Sequence, residues 1–269
     1  MSTANYSCPL CAQPLTLQGT TFKCQQNHCF DRAKEGYVNL LPVQFKKSKA
    51  PGDNKAMVMA RRAFLGNGYY QPLADKITQI ASQHGPLTNV LDAGCGEGYY
   101  TQRHQALAEH VYGVDIAKEA IKLAAKTHKT CHFSVGTLSQ LPFEAEHFDW
   151  IYSIYAPILE QEFTRVLRDK GHLLTVTPAK NHLAQLKQLI YRDAQPHDES
   201  KQPIDNLTLV HQETLSYTLH FDNSEDILNL LSMTPFAFKV TDALTTHIQG
   251  LSSFECEVDF LIRLYQKDC

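Results

Sequence analysis

The stretch Val90-Leu91-Asp92-Ala93-Gly94-Cys95-Gly96-Glu97-Gly98 decides the fold of this chain. Val90 and Leu91 end an apolar run that is typical of a buried strand, and Asp92 follows them. The alternating glycines permit positive φ and let a ligand approach the backbone closely. Because the residues after Gly98 can begin a helix, the pattern predicts a strand, a glycine-rich turn and a helix N-terminus.

A second short apolar run ends in the acid Asp115. An acid at this place in a nucleotide-binding βαβ unit accepts hydrogen bonds from ribose hydroxyls, although Asp115 could instead only cap the next helix. The D-x-G-C-G-E-G pattern lacks G-x-G-x-x-G spacing and resembles the cofactor loop of class I S-adenosylmethionine (SAM) methyltransferases. We expect Asp115 to contact SAM. The loop residues expected to shape or contact the same site are Asp92, Gly94, Gly96 and Glu97.

The first thirty residues have the spacing of a zinc site. Cys8 and Cys11 form a C-x-x-C, and Cys24 and His28 follow. Two turns that each offer two soft ligands suit tetrahedral zinc, and metal would supply the folding energy that so short a segment lacks. Cys29 is the alternative fourth ligand. Since no coordination position is left open, we expect a structural zinc bound by Cys8, Cys11, Cys24 and His28.

The chain has 269 residues, of which 43% are hydrophobic and 20% charged, as in an ordinary globular protein. No apolar run approaches the ~20 residues of a membrane span, and the N-terminus shows no signal-peptide pattern. We therefore expect a cytoplasmic protein with no membrane partner. We predict a zinc-binding module over 1–42, a basic linker and helix over 43–68, and a SAM-dependent methyltransferase domain over 69–269.

The segment 43–62 is basic, with six Lys or Arg against one acid, in a chain whose net charge is −3. One interpretation is a solvated linker followed by a polar helix face. The other is a phosphate-contacting segment, which we prefer because its charge opposes that of the whole chain. We predict that it binds RNA and that neutralising it leaves SAM affinity unchanged. The predicted RNA-binding residues are Lys46, Lys47, Arg61 and Arg62.

Strand and helix patterns alternate after Asp115, which predicts a mostly parallel, Rossmann-like α/β sheet with helices on both faces. Strands expected over 207–221 and 255–265 would close this sheet antiparallel, with an insertion between them that contains the apolar loop 233–238. Tyr70 precedes the leading helix and packs either against the cofactor or in the core. His182 follows the fifth strand and is either a ligand contact or a core residue.

The turn Tyr155-Ala156-Pro157 ends the predicted fourth strand, beside the transferable methyl group. DNA amino-methylases often place Asn/Asp-Pro-Pro-Tyr/Phe here, and this chain does not. Glu160 and Glu162 lie just beyond the turn. Either could remove a proton from the substrate, and both could equally be acids on a helix surface.

Taken together, the motifs resemble the RlmA family of guanine-N1 methyltransferases that act on 23S ribosomal RNA. The matching stretches are CPLC with its downstream Cys and His, AKEGYVNLLPVQ, PGD, ARRAFL, YQPL, LDAGCGEGYYT, IYAP, TPAKNHL and MTPFAF. The resemblance implies a zinc module that helps to hold an rRNA hairpin, and it places SAM against Tyr70, Gly96, Glu97 and His182. A homodimer is a further expectation.

Two other functions share parts of this pattern. A small-molecule SAM methyltransferase would have the same central domain but would give no reason for a zinc module joined to a basic segment. A zinc-ribbon RNA-binding protein with an inactive methyltransferase domain would be expected to have lost the GCGEG loop.

Overall fold

The computed structural model describes residues 5–45, 51–191, 197 and 204–268. The strands are β1 Tyr6–Ser7, β2 Pro14–Gln18, β3 Thr21–Lys23, β4 Cys29–Asp31, β5 Val38–Asn39, β6 Leu87–Ala93, β7 Ala108–Asp115, β8 His132–Val135, β9 Phe148–Ile154, β10 Leu167–Pro178, β11 Leu207–Phe221 and β12 Phe254–Lys267. The α-helices are α1 Lys55–Gly66, α2 Gln71–Ser82, α3 Lys118–Thr127, α4 Glu160–Val166, α5 Ala184–Ile190, α6 Ser224–Ser232 and α7 Asp242–Gln249. Short 3₁₀ helices span Val43–Phe45, Thr101–Ala106 and Pro235–Lys239.

The large sheet has eight strands in the order β11-β12-β10-β9-β6-β7-β8-β5. The pairs from β10 to β5 are parallel, whereas β12 runs antiparallel to both β10 and β11. This mixed sheet confirms the predicted mostly parallel architecture with an antiparallel closing pair. Because β6 lies at the centre with its carboxyl end leading into the glycine loop, the loop sits where α/β sheets bind their ligands.

Alternate residues of the central strands face two separate cores. Val90 and Trp150 pack with side chains from α2, α3 and α6 on one face. Leu91 and Ile151 pack on the other face with α4 and with the N-terminal module. Strands buried on both faces explain why 148–154 reads as one apolar run.

The N-terminal module is a small four-stranded sheet, β1-β2-β3-β4, that packs on the large sheet. Tyr6 contacts Tyr112 of β7 edge to face, with ring centroids 6.2 Å apart, and Ser7 N–H donates to the Pro142 carbonyl at 2.9 Å. β5 then leaves the module and pairs with β8. The predicted module boundary at residue 42 therefore encloses a strand that belongs to the large sheet.

Two local predictions need correction. The helix expected after Gly98 is the 3₁₀ helix Thr101–Ala106, because β7 begins only two residues after it and a short connection favours the tighter i→i+3 turn. The segment expected as a loop over 233–238 contains the 3₁₀ helix Pro235–Lys239. Among the described residues, no helix is long and apolar enough to cross a membrane.

Candidate cofactor site and metal centre

The glycine loop after β6 is a backbone cradle. Gly94 and Gly96 have φ of +84° and +55°, a region that side-chain-bearing residues rarely adopt. A Cβ on Gly94 would stand 2.5 Å from Cβ of Ala156. The loop therefore packs directly against the turn that follows β9, and only glycine fits there.

Asp92 stabilises the conformation of the glycine loop. Its side chain is buried and accepts a 2.7 Å hydrogen bond from Thr101 Oγ1. Burial raises its pKa to about 7, and the nearby charge of Asp115 adds to the rise. Asp92 is thus tied to the 3₁₀ helix that closes the loop rather than pointing into solvent.

Asp115 lies at the carboxyl end of β7, where its carboxylate joins the glycine loop to the start of α3. Its contact with SAM stays a prediction. One carboxylate oxygen accepts from Gly96 N–H at 2.9 Å, and the other accepts from Ala117 N–H at 2.7 Å. Burial raises its pKa, while these two backbone donors lower it. The carboxylate therefore fixes the glycine loop and caps α3 at the same time.

Glu97 is 7% exposed and faces the cationic side of α1. Burial raises its pKa, whereas Arg62 and Arg61 lower it. Arg61 pairs with Asp53, donates to the Met233 carbonyl at 3.1 Å, and lies 4.0 Å from the place of a Cβ on Gly96. Arg61 therefore lies beside the SAM loop. That neutralising the basic segment leaves SAM affinity unchanged stays a prediction, and Arg61 is the residue at which it is most exposed to failure.

Only one of the other predicted RNA contacts lies among the described residues. Arg62 lies in α1 and is half-buried. Lys46 and Lys47 lie outside the described residues. RNA contact by these residues stays a prediction.

Tyr70 and His182 meet around one phenylalanine. The Tyr70 ring lies 5.0 Å from Phe260, and His182 lies 5.1 Å from the same ring. Tyr70 is 4% exposed, so it is a core residue at the border of the site. Cofactor contact by either residue stays a prediction.

His182 has intramolecular partners at both ring nitrogens. Nδ1 accepts from the Asp259 backbone N–H at 3.1 Å, and Nε2 lies 3.1 Å from the Tyr155 hydroxyl oxygen. Burial lowers the pKa of His182 to about 3, so the ring is neutral near pH 7. A contact with SAM through Nδ1 would have to replace the bond from Asp259.

Sequence reasoning placed the 155–157 turn beside the methyl group but gave Tyr155 no role. The structure makes Tyr155 an accessible side chain, 43% exposed, whose neighbours His182 and Phe260 are buried. It has φ of +56°, which is unusual for a non-glycine residue. No sequence pattern signals this backbone conformation, so the residue could not have been found that way.

Glu160 and Glu162, the two candidate proton acceptors, have different surroundings. Glu162 accepts from Leu141 N–H at 2.7 Å and pairs with Arg165 at 2.7 Å, so its carboxylate holds the 141–143 loop to α4. Glu160 is exposed at the start of α4. To accept a proton from the substrate, Glu162 would therefore have to give up its bonds to Leu141 and Arg165.

Four ligand atoms converge in the N-terminal module. The predicted ligands Cys8, Cys11, Cys24 and His28 place one ligand atom each within 4.8 Å of all the others. His28 Nδ1 lies 3.4 Å from both Cys8 Sγ and Cys24 Sγ, and the Cys11 and Cys24 sulfurs are 3.7 Å apart. Zinc–sulfur bonds of about 2.3 Å in a tetrahedron separate ligand atoms by about 3.5–3.8 Å, so this donor set fits zinc.

Cys29 lies outside this group. It is exposed, and its Sγ donates to the Asn27 carbonyl at 3.4 Å. The turn 24–28 brings the imidazole of His28 inward, because Cys24 N–H bonds the His28 carbonyl and Asn27 takes φ of +64°. β4 begins at Cys29 and carries its side chain away from the cluster.

The glycine loop, the acid after β7 and the sheet order define a class I SAM-dependent methyltransferase, and the cysteine–histidine cluster adds a zinc ribbon. Comparison with known proteins agrees. Residues 6–49 match the family model "RlmA, N-terminal", a zinc ribbon, and residues 90–175 match "Methyltransferase domain". A protein of Bacillus halodurans assigned as a methyltransferase has the same fold, with a TM-score of 0.50, 16% identity, and coverage of 73% of this chain and 99% of its own.

Curated relatives give the particular family. The 23S rRNA (guanine(748)-N(1))-methyltransferase of Streptomyces fradiae is 33% identical over 226 residues, 80% of each chain. A Bacillus subtilis protein assigned as a 23S rRNA (guanine-N(1)-)-methyltransferase is 28% identical over 97% of each chain. The chain belongs to this RlmA family of 23S rRNA (guanine-N(1)-)-methyltransferases, which confirms the resemblance and makes it an enzyme that uses SAM and carries zinc.

Proposed function

We propose that this chain methylates N1 of a guanine in a hairpin loop of 23S rRNA. The observation that carries the proposal is the contact between Gly94 and Ala156, which places the exposed ring of Tyr155 beside the SAM loop. Flat aromatic surfaces at such a place suit an unstacked base. N1 lies on the Watson–Crick edge, so the target must be unpaired or flipped out. Acting on ribosomal RNA, the enzyme would work in the cytoplasm.

The cofactor would be held mainly by backbone and acids. Gly94 and Gly96 expose the loop backbone, and Asp92 fixes it through Thr101. Asp115 holds the loop amide and would accept hydrogen bonds from the ribose hydroxyls, and the buried Glu97 would border the cofactor beside α1. We propose Tyr70 and His182 as further contacts from the neighbouring aromatic group.

The proposed reaction is a direct transfer in which no protein side chain forms a covalent bond. Guanine N1 bonds the methyl carbon, the carbon–sulfur bond breaks with its electron pair left on sulfur, and the N1 proton passes to solvent. The chain's own residues must align N1 in line with that bond and stabilise charge that appears on the base. Zinc takes no part in this step, because its proposed ligands Cys8, Cys11, Cys24 and His28 leave no open position.

We propose that the RNA lies along the junction of the two domains. The basic segment 43–62 leads from the module into α1, and α1 folds over the SAM loop. A hairpin bound here would lay phosphates against Lys46, Lys47 and Arg62 while its loop reaches Tyr155. Arg61 would reach the RNA only by leaving Asp53 and Met233.

A homodimer is also proposed. β11 is the outer strand of the large sheet and exposes Leu209 and Val210. A second copy could cover this edge. Light scattering during gel filtration gives the mass directly, and a monomer at micromolar concentration would contradict the proposal.

The enzyme assay is methyl transfer from labelled SAM to a 23S rRNA fragment library, compared with a small-metabolite pool. N1-methylguanine blocks Watson–Crick pairing, so reverse transcriptase stops identify the base. Label in the metabolite pool alone would favour a small-molecule methyltransferase. Tight SAM binding with no transfer to either pool would favour an inactive RNA-binding protein.

Gly94→Ala provides a matched inactive variant for this assay. Its new Cβ would clash with Ala156, whereas Gly85→Ala imposes a similar φ of +79° with nothing within 4 Å. We expect Gly94→Ala to abolish transfer and Gly85→Ala to retain it. Equal activity in the two variants would contradict the placement of the methyl group beside the 155–157 turn.

A further inference from the structure

Tyr155 is held in a costly backbone conformation at the carboxyl end of a central strand. Its φ is +56°, and its N–H donates to the Val176 carbonyl at 3.0 Å. Left-handed conformations are unfavourable for non-glycine residues and persist only where the surroundings impose them. In this chain the left-handed conformation turns the Tyr155 hydroxyl toward His182, next to the SAM loop.

The hydrogen bonds around His182 fix the direction of the Tyr155 hydroxyl. Asp259 N–H donates to Nδ1, so the proton of the neutral ring resides on Nε2. The Tyr155 oxygen lies 3.1 Å from Nε2 and 3.4 Å from Nδ1. An oxygen at similar distances from both nitrogens is not in line with Nε2–H, so the two groups are in contact without that bond. Because Nδ1 already accepts from Asp259 and Nε2 carries a proton, neither nitrogen takes the hydroxyl proton of Tyr155, which is left for another acceptor.

The support beneath His182 is itself anchored. The Asp259 carboxylate accepts from Asn181 N–H at 3.0 Å and from Ser216 Oγ at 2.6 Å. These bonds lock the backbone amide that orients the imidazole. The Asp259 amide thus sets the orientation and the tautomer of His182, against which the Tyr155 hydroxyl packs.

We propose that the Tyr155 hydroxyl donates a hydrogen bond to O6 of the target guanine, with His182 as the residue that positions it. The inference rests on the proposed function. As N1 loses its proton, negative charge spreads onto O6, and a preoriented donor stabilises charge that develops in the transition state. A donor here also favours a base with an acceptor at position 6, which adenine lacks.

Tyr155 suits a donor better than a base. Loss of hydration raises its pKa well above the ordinary value, and the phenols of Tyr70, Tyr100 and Tyr217 raise it further. Tyr217 belongs to the same group of rings, but its hydroxyl already donates to the Tyr69 carbonyl at 2.8 Å. Tyr217→Phe is therefore the matched control for Tyr155→Phe.

The test measures single-turnover methyl transfer at saturating SAM to an RNA that carries guanine or 6-thioguanine at the mapped position. Sulfur is a weak hydrogen-bond acceptor, so removing a donor to position 6 should matter less on the thio substrate. We expect Tyr155→Phe to slow transfer to guanine about a hundredfold, as loss of an oxyanion donor does. The SAM dissociation constant should stay unchanged in this variant, and Tyr217→Phe should retain the wild-type rate.

The ratio of guanine to 6-thioguanine rates decides the assignment. The ratio should be large in wild type and Tyr217→Phe and close to the intrinsic thio effect in Tyr155→Phe. Equal ratios in wild type and Tyr155→Phe would overturn the O6 contact while leaving the proposed function intact. Absence of guanine methylation by the wild-type enzyme would instead overturn both.

Discussion

Asp115 is the residue through which the SAM loop and α3 depend on each other. Its two carboxylate oxygens each accept one backbone N–H, from Gly96 and from Ala117. We expect Asp115→Ala to weaken SAM binding by about 1–3 kcal/mol, because it leaves the loop amide without its partner and removes the acceptor proposed for the ribose hydroxyls. Titration calorimetry measures the change.

Asp115→Asn is the control, since its amide oxygen can still accept from Ala117. It should cost less than the alanine variant. An alanine variant with the wild-type dissociation constant would move the ribose contact elsewhere in the site.

His104 is a buried histidine that makes stability depend on pH. Its ring stacks on Tyr152 at 3.8 Å, and among the described residues neither ring nitrogen has a hydrogen-bond partner. Burial, with a smaller contribution from Arg103, lowers its pKa to about 3. Between pH 6.5 and 3 the unfolded chain binds this proton and the folded chain does not, so stability falls as pH drops below 6.5.

His104→Phe should remove this sensitivity while keeping a flat ring on Tyr152. Going from pH 7.5 to 5.5, wild type should lose up to about 1.4 kcal/mol more unfolding free energy than the variant. Urea denaturation at the two pH values measures the difference. The exposed histidine variant His247→Phe should follow wild type. Parallel pH curves for wild type and His104→Phe would refute the assignment.

At the scale of elements, we expect the fold of the N-terminal module to depend on its bound zinc. Cys24→Ser should lose zinc and unfold β1–β4, because a four-stranded sheet this small cannot bury enough apolar area by itself. Elemental analysis of protein purified without chelators should give one zinc per chain in wild type. SAM binding should survive, since the glycine loop belongs to the other sheet.

Cys29→Ser is the matched control, because that thiol lies next to the cluster but points away from it. It should keep its zinc. Zinc loss in Cys29→Ser with retention in a His28→Ala variant would reverse the assignment of the fourth ligand.

The elements that sequence predicted well are those with a local physical cause. α1 begins where Asn54 Oδ1 accepts from Met57 N–H, and β9 is an unbroken apolar run. The 3₁₀ helix after Gly98 was missed because its type depends on how little chain separates it from β7. The left-handed Tyr155 was missed because its contacts are not local: its N–H donates to Val176, and the next residue, Ala156, packs against Gly94.

At the scale of the whole molecule, the basic segment has two different duties. Arg61 lies against the SAM loop, whereas Lys46 and Lys47 precede α1. We expect Lys46→Ala with Lys47→Ala to weaken binding to the 23S rRNA hairpin and to reduce the salt slope by about 0.7 for each lost contact with single-stranded phosphate. SAM affinity should not change.

Arg61→Ala, in contrast, should weaken SAM binding. It removes the cation that pairs with Asp53 next to the SAM loop. Filter binding across a salt series and calorimetry with SAM separate the two duties. An unchanged salt slope in the double lysine variant would make that stretch a solvated linker. The RNA surface would then have to lie on the zinc module or on the segment 233–238.

The sequence patterns did not predict how the two domains pack against each other. Motifs predicted a zinc module, a linker and a methyltransferase domain as separate parts, and each motif is local. Tyr6 packing on Tyr112 and Arg61 reaching Met233 are contacts between residues far apart in sequence. Such long-range contacts follow from the surface shapes of two folded parts, which a single sequence does not display.

The pairing of β5 with β8 has a consequence for solubility. β8 would otherwise be an edge strand with unpaired amides, and such edges recruit strands from other chains. Val38 and Asn39 cover it, and Leu40 N–H adds a 2.8 Å bond to the Val135 carbonyl. These residues follow directly from the metal-held module. Zinc shortage would therefore leave an enzyme that still binds SAM but has a less protected sheet edge, and such an edge favours aggregation.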